Sequence, residues 1–462
     1  MSAITRLAEF VASADIPSDA RAVARDAFQD TVGVMLAGVV EPAARIVQKV
    51  ARVEAASGSA GIYGTRQKAG ASWAALANGT AAHALDFDDM CWTTMAHPSA
   101  PLVAAALSAA ESSGASGRVA LDAYVAGFEV EAVLGRALNP SHYDHGWHAT
   151  STIGTIGAAA AAARVFGLDA DAIGRALSIA ASEASGLKEN FGTMVKPLHA
   201  GLAARNGVLA ALLAMEGFTA SDRAIDGPQG FRVAMRGSEG DISELLANLG
   251  RRWEILDGGI TFKLYPSCAA THPTIDTLLD LRREHDLDPG DVVAVEIDVD
   301  PVTPTVLIYD RPVTGLQGKF SLHFCAAAAL ATGGIGIETF ALSAMKAAAV
   351  DRLVPLVRMR VDERLGPPES DAPPLTQARV RIRLVDGRTL ERFADGARGY
   401  PRRPATGEEL DAKFTSCATR SVSKELADRA LGYLQDLEVS SDLRGLSVLL
   451  TDQLVPQPVR SQ

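Results

Sequence analysis

The apolar residues of this chain change their spacing partway along the sequence, and this change constrains the fold more than any other feature. Before about residue 262, long segments such as Val119–Ala137 and Leu198–Glu216 carry apolar residues at helical spacing. Several segments are apolar almost all round, which predicts helices that are buried on most faces. Beyond Pro266, residues 293–300 alternate apolar and polar side chains with a period of two, the pattern of a half-buried strand.

The same alternation recurs at 357–361 and 380–384, and Asp386-Gly387 then predicts a hairpin turn. Helices are predicted at Phe320–Ala331 and Ile337–Ala349, and the proline-rich segment Pro367–Pro374 is typical of a surface loop.

Helical spacing returns after Thr406. The predicted fold class is therefore mainly α, with a large all-helical domain built from both chain ends and a smaller inserted α+β domain. The predicted boundaries assign residues 1–262 and 405–462 to the helical domain and residues 263–404 to the α+β domain.

Charge and cysteine content exclude several classes of protein. A net charge of −11 without a basic run argues against nucleic acid as a partner. The N-terminal residues show no signal-peptide pattern, and no apolar run approaches the ~20 residues of a membrane span, so no membrane partner is expected. Four scattered cysteines without a CxxC pair predict reduced thiols and a cytoplasmic protein.

Most of the nine histidines lie in four polar islands within apolar sequence. Each island lies at or near a loop that opens a predicted helix. Helix N-termini present unpaired N–H groups and a positive dipole end, so converging islands would bind carboxylates. The islands are His83–Asp89 with His97-Pro98-Ser99, His142–Thr150, Lys196–His199, and Lys263–Cys268 with His272.

These islands resemble motifs of the MmgE/PrpD family. The similar strings are Asn78–Asp89 with His97-Pro98, Gly146–Thr150, Lys196–Gly201 continuing to Asn206-Gly207, and Tyr265–Cys268 with His272. The resemblance extends to Lys413-Phe414, nearly the whole chain. It implies a homodimer of two-domain subunits in which the smaller α+β domain is a lid, and an active site that works without a metal or an organic cofactor. Relatives in the family include 2-methylcitrate dehydratase, cis-aconitate decarboxylase and iminodisuccinate epimerase.

The resemblance also implies which residues form the site. The family's active-site positions correspond here to Asp86, His97, His148, Lys196 and His272. Lys263, Trp147, Thr150, His199 and Tyr143, in the same islands, are candidates for binding substrate. One position departs from the family pattern: relatives often carry a polar residue and then tyrosine after Leu322, whereas this chain carries His323 and Phe324. The absent hydroxyl disfavours decarboxylation.

The family's reactions share removal or addition of a proton beside a carboxylate, which requires a base and fixed cationic donors for the enediolate-like anion. Lys196 and His97 are the predicted proton-transfer pair. His148 and His272 would bind carboxylate or protonate a leaving hydroxyl, and Asp86 would orient a histidine.

A lyase acting on a small di- or tricarboxylic acid is therefore expected, most simply a 2-methylcitrate dehydratase-like enzyme, because elimination needs only an acid and a base. An epimerase or a cis-aconitate decarboxylase-like enzyme is the alternative. Two distant hypotheses also stand. A metal-dependent hydrolase would use His142, His145, His148 and the aspartates as ligands, and a non-catalytic helical scaffold would have no cationic cleft.

Overall fold

The computed structural model describes residues 2–54, 57–235, 242–366 and 376–452. Within these ranges the chain forms two compact units, residues 1–260 with 406–462 and residues 261–405. Helices dominate, which confirms the predicted mainly α class. The predicted loop Pro367–Pro374 lies outside the described residues.

The first unit is built from eleven longer helices among its described residues. They enclose a core rich in alanine and leucine that excludes water almost completely. The longer helices are Ala3–Ser13, Ser18–Gly38, Pro42–Glu54, Ala71–His83, Ser99–Ser113, Gly117–Leu138, Ala149–Val165, Ala170–Glu183, Val195–Met215, Gly407–Ala418 and Lys424–Gln435. Short helices of four to six residues are Ser141–Asp144, Phe231–Ala234, Ser243–Asn248, Glu254–Asp257 and Arg444–Ser447.

This unit is not entirely helical, which corrects the sequence-based expectation. Strands Ala60–Ile62 and Gln67–Ala69 form an antiparallel hairpin. Its turn includes Gly64 at φ 72°, a conformation that favours glycine. The Gly61 N–H donates to the buried Glu111 carboxylate at 2.6 Å. Because each strand has only three residues, period-two alternation could not reveal it in the sequence.

Helix Val195–Met215 is long and apolar enough to cross a membrane by length and composition alone. In the structure it packs against helices Ala71–His83, Ser99–Ser113, Ala149–Val165 and Ala170–Glu183. Its first turn also carries the buried cation Lys196. These contacts are those of a central core helix.

The second unit contains a four-stranded sheet in the order Val357–Val361, Val292–Val299, Ala378–Leu384, Thr389–Ala394. The first two strands are parallel and the other neighbours antiparallel. Val292, Val295, Ile297 and Val299 are buried, as the alternation predicts. The turn at Asp386-Gly387 is also confirmed, since the Gly387 N–H donates to the Leu384 carbonyl.

Helices His272–Glu284 and Leu322–Thr332 pack against this sheet. Shorter helices are Thr303–Val306, Gly315–Gly318, Leu342–Met345 and Ala348–Leu353.

The prediction of one continuous helix over residues 337–349 is wrong. The chain breaks at Ala341 and Ala347, whose backbones are extended. Phe340, Met345 and Val350 are all buried. Side chains five residues apart lie about 140° apart around a helix, so one continuous helix could not bury all three on one face.

Candidate active site

Two helices meet closely beside the candidate site. A Cβ on Gly79 would lie 3.0 Å from the Gly201 Cα, and a Cβ on Gly201 would lie 2.2 Å from the Thr80 hydroxyl. Only glycine permits this approach of helices Ala71–His83 and Val195–Met215. His83 ends the first helix and Lys196 lies in the first turn of the second. The close approach brings these two side chains together.

The Lys196 ammonium is held in a buried cluster of acceptors. Its Nζ donates to Asp86 Oδ1 at 2.5 Å and to His83 Nε2 at 2.9 Å. Asp86 adopts φ 52°, a left-handed conformation that is uncommon for a residue other than glycine. Such backbone strain costs on the order of 1–3 kcal/mol and is concentrated at functional sites. Here the turn aims the Asp86 carboxylate at Lys196.

Asp88 joins two imidazoles in the same cluster. Its carboxylate lies 2.8 Å from His83 Nδ1 and 3.3 Å from His97 Nδ1. Burial opposes ionisation of Asp88, but the facing rings of His83 and His97 hold its pKa well below the usual range. Burial lowers the pKa of His83, so this ring is neutral at neutral pH.

His97 reaches both aspartates from the loop before helix Ser99–Ser113. Its Nε2 lies 3.7 Å from Asp86 Oδ1. Its backbone N–H donates to the Thr150 hydroxyl at 3.0 Å, so Thr150 fixes the chain carrying His97. From the sequence, Asp86 was expected to orient a histidine. In the structure the Asp86 carboxylate accepts a hydrogen bond from Lys196, and Asp88 makes the shorter contacts with His83 and His97.

His148 and His199 form a second pair beside this cluster. Their Nδ1 atoms are 3.0 Å apart, so one ring donates and the other accepts. Burial, followed by the charge of Lys196, lowers the pKa of His148 well below its usual value. Burial, His83 and Lys196 lower the pKa of His199 to about 4. The His148 ring centre lies 6.0 Å from that of His83, so neutral imidazoles adjoin the ammonium.

Several of these side chains are positioned by the ends of helices. His148 is the N-cap of helix Ala149–Val165, and His97 and Lys196 lie at the starts of two other helices. His83 differs from the expectation because it ends a helix. The structure therefore brings together Asp86, His97, His148, Lys196 and His199, with Thr150 behind His97.

Tyr143 and Trp147, two further candidates in the first unit, contact residues outside this cluster. The Lys188 ammonium lies 3.5 Å from the centre of the Tyr143 ring. The Trp147 ring stacks on His142 at 6.1 Å, and its backbone pairs with Leu187 in an isolated bridge. Their predicted contact with substrate remains a prediction.

Lys263 and His272 belong to the second unit, where both are fully buried. His272 begins helix His272–Glu284; its Nε2 lies 3.3 Å from the Ser267 carbonyl and its ring packs edge-on against Tyr265. Their roles in catalysis also remain predictions.

One set of side chains has the composition of a metal site. The ligand atoms of His83, Asp86, Asp88 and His97 all lie within 4.8 Å of one another. The Lys196 ammonium bonds to two of these residues, so the set already contains its own cation. In the described part of the chain, His142, His145 and His148 form no such group. His142 instead contacts Thr152 and the Met235 carbonyl.

Sequence reasoning missed the roles of His83 and Asp88. Taken alone, a histidine at a helix end and an aspartate in an acidic loop resemble capping or solvated groups. Their spacing was the signal that could have revealed these roles. When a histidine ends a helix and the following loop turns back, an aspartate five residues later can contact the imidazole.

Models of two protein domains match this chain. The MmgE/PrpD N-terminal domain matches residues 3–241, and the MmgE/PrpD C-terminal domain matches residues 265–438. Cis-aconitate decarboxylase of Homo sapiens is 28% identical over 449 residues, which cover 93% of this chain and 89% of that protein. Cis-aconitate decarboxylase of Aspergillus terreus is 26% identical over 482 residues, covering 98% and 97%. The chain belongs to the MmgE/PrpD family.

Proposed function

We propose that this protein is a lyase that removes a proton next to a carboxylate of a small di- or tricarboxylic acid without a cofactor, and that it is a dehydratase. The observation that carries the proposal is the Lys196 ammonium, held by Asp86 and His83 beside His97. A buried acid and base at helix N-termini suit an anionic substrate and an enediolate-like intermediate.

In the proposed reaction, His97 takes the proton from the carbon beside the carboxylate, and the Lys196 ammonium gives a proton to the hydroxyl of the neighbouring carbon, which leaves as water. His148, kept neutral by burial, donates a hydrogen bond to a substrate oxygen, and His199 sets which nitrogen of His148 carries the proton. Lys263 and His272 bind carboxylates of the substrate. Each role uses a proton or a positive charge of this chain's own residues.

Dehydration is the simplest outcome because the hydroxyl leaves once the neighbouring carbon has lost its proton. Decarboxylation is the second candidate, since relatives named cis-aconitate decarboxylase align with 91–99% of this chain. Phe324 weighs against it: this side chain is buried against Phe340 and offers no hydroxyl.

We also propose a cytoplasmic homodimer. The four cysteines lie in the described part of the chain and form no disulfide there, which suits a reducing compartment. The relatives' named activity and the Lys196 ammonium support a small-acid substrate.

The proposal is tested by incubating the protein in D₂O with a panel of di- and tricarboxylic acids. We expect deuterium to enter the carbon beside a carboxylate and a hydroxy acid to yield an unsaturated acid without release of CO₂. Release of CO₂ from cis-aconitate would replace dehydration by decarboxylation. Inversion without loss of water would indicate an epimerase, and no exchange with any acid would contradict the proposal.

A further inference from the structure

We propose that His83 is a positioning residue for Lys196: Asp88 sets the His83 tautomer, and the lone pair of His83 Nε2 then holds the lysine ammonium in place. This inference rests on the proposed function, because Lys196 is the group that it positions. It concerns a hydrogen-bonded row of three buried side chains in the candidate site, Asp88, His83 and Lys196.

The distances fix the direction of the hydrogen bonds in this row. His83 Nδ1 lies 3.0 and 2.8 Å from the two Asp88 oxygens, and an ionised carboxylate only accepts. Nδ1 therefore carries the proton. In a neutral imidazole the other nitrogen is then unprotonated, so His83 Nε2 accepts from the Lys196 ammonium at 2.9 Å.

Burial makes this arrangement specific. The His83 and Asp88 side chains are fully buried, and that of Lys196 is 5% exposed. In such surroundings a misdirected N–H would face the ammonium and leave a lone pair unsatisfied, which is costly. With Asp86 Oδ1 as the other acceptor at 2.5 Å, the row directs the lysine along one line. Positioning of a proton-transfer group to this degree is a large part of its catalytic effect.

Two substitutions of His83 distinguish the role of its Nδ1 atom from the role of its Nε2 atom. In His83→Gln the amide oxygen is as many bonds from Cβ as Nε2 is, so it can accept from Lys196. In His83→Asn the amide group replaces only Nδ1, so the contact with Asp88 remains and the acceptor for Lys196 is lost. We expect His83→Asn to lower kcat by about 100-fold. His83→Gln should stay within about tenfold of wild type, and KM should be similar in both.

The comparison uses the exchange reaction in D₂O and product formation, with thermal unfolding of each variant as the control for folding. Equal losses of kcat in the two variants, or a loss only in His83→Gln, would overturn the proposal. If neither variant is affected, His83 does not position Lys196.

A second measurement does not depend on turnover. ¹⁵N-histidine labelling of the whole protein, with the His83 signals identified by their absence in His83→Gln, reports which ring nitrogen carries the proton. We expect an Nδ1–H tautomer with an unprotonated Nε2 at pH 7. An Nε2–H tautomer or a doubly protonated ring would overturn the inference even if the enzyme is active. The expected tautomer in a protein that exchanges no acid would contradict the proposed function alone.

Discussion

Among single residues, Lys196 matters most for both the stability and the proposed chemistry of the protein. The sequence places it near a loop, where it would contribute little to packing. The structure places it in the first turn of a core helix, 4% exposed and bonded to Asp86. Removing one partner of a buried ion pair typically costs 3–5 kcal/mol, because the other charge stays buried. Lys196 therefore contributes to stability as well as to the proposed chemistry.

Lys196→Ala should abolish turnover, with a loss of at least about 100-fold in kcat, and should also lower the melting temperature. Lys196→Arg should restore stability but not activity, since arginine keeps the charge and does not release a proton at neutral pH. The measurements are kcat and thermal unfolding of both variants. Near-normal activity of Lys196→Arg would reduce Lys196 to an anion-binding residue and leave the histidines to carry out both proton transfers.

Asp89 allows a test of pH dependence. Its carboxyl is fully buried and receives the Ser99 N–H at 3.2 Å and the Ser99 hydroxyl at the start of helix Ser99–Ser113. Burial, partly opposed by Ser99, raises its pKa to about 8. Between pH 4 and 8 the folded state therefore retains a proton that the unfolded state has lost, so this group's contribution to stability falls as pH rises.

Asp89→Asn mimics the protonated form and should lack this dependence. Between pH 5 and pH 8 the wild type should lose up to about 4 kcal/mol of unfolding free energy relative to the variant. Urea unfolding of both proteins at the two pH values measures the difference. A difference that does not change with pH would show that Asp89 is ionised in the folded protein.

At the scale of elements, the contact between helices Ala71–His83 and Val195–Met215 determines whether His83 meets Lys196. Gly201 faces the Leu76 carbonyl, and a Cβ there would lie 2.4 Å from that oxygen. Backbone atoms cannot rotate away as a flexible side chain can, so the helices must separate.

Gly201→Ala should therefore destabilise the protein by about 1–3 kcal/mol and reduce kcat by displacing Lys196 from His83. Gly432→Ala is the matched control, because it lies in helix Lys424–Gln435 with no atom within 4 Å of an added Cβ. That change should stabilise by about 0.5–1 kcal/mol. Urea unfolding and kcat of both variants are the measurements; a Gly201→Ala protein as stable and active as wild type would show that the helices can separate freely.

At the scale of the whole molecule, exposed apolar residues support the predicted dimer. Ile46, Val50 and Val53 are 51%, 47% and 78% exposed and lie along one side of helix Pro42–Glu54. Residues spaced by three and four share one face of a helix. An apolar stripe of this kind on a folded protein is typical of a contact surface.

Sedimentation at micromolar concentration should therefore give the mass of two chains. Val50→Lys should weaken the dimer because the ammonium would have to be desolvated in the contact, whereas the nearby exposed change Lys49→Arg should have no effect. A monomeric wild type would contradict the assembly, and an unchanged dimer in Val50→Lys would place the interface elsewhere.

Local spacing was enough to predict the mainly α class, long helices such as those at 119–137 and 198–216, and strands at 293–300, 357–361 and 380–384, because helical and period-two spacing follow directly from how each element buries one face. The sequence by itself also determined the family, through long ordered motifs. The predicted domain boundaries at 262/263 and 404/405 stay predictions, as do the catalytic roles of the named residues.

Other features of the fold and of the candidate site depend on contacts between residues that are far apart in sequence. The hairpin at Ala60–Ala69 depends on a distant glutamate, Glu111, and the break at Ala341 depends on which side chains the core accepts. His83 acquired its contact with Lys196 only because Gly79 and Gly201, 122 positions apart in sequence, let two helices meet. A hydrogen bond between remote residues depends on where the backbone places both partners, and no local pattern records that position.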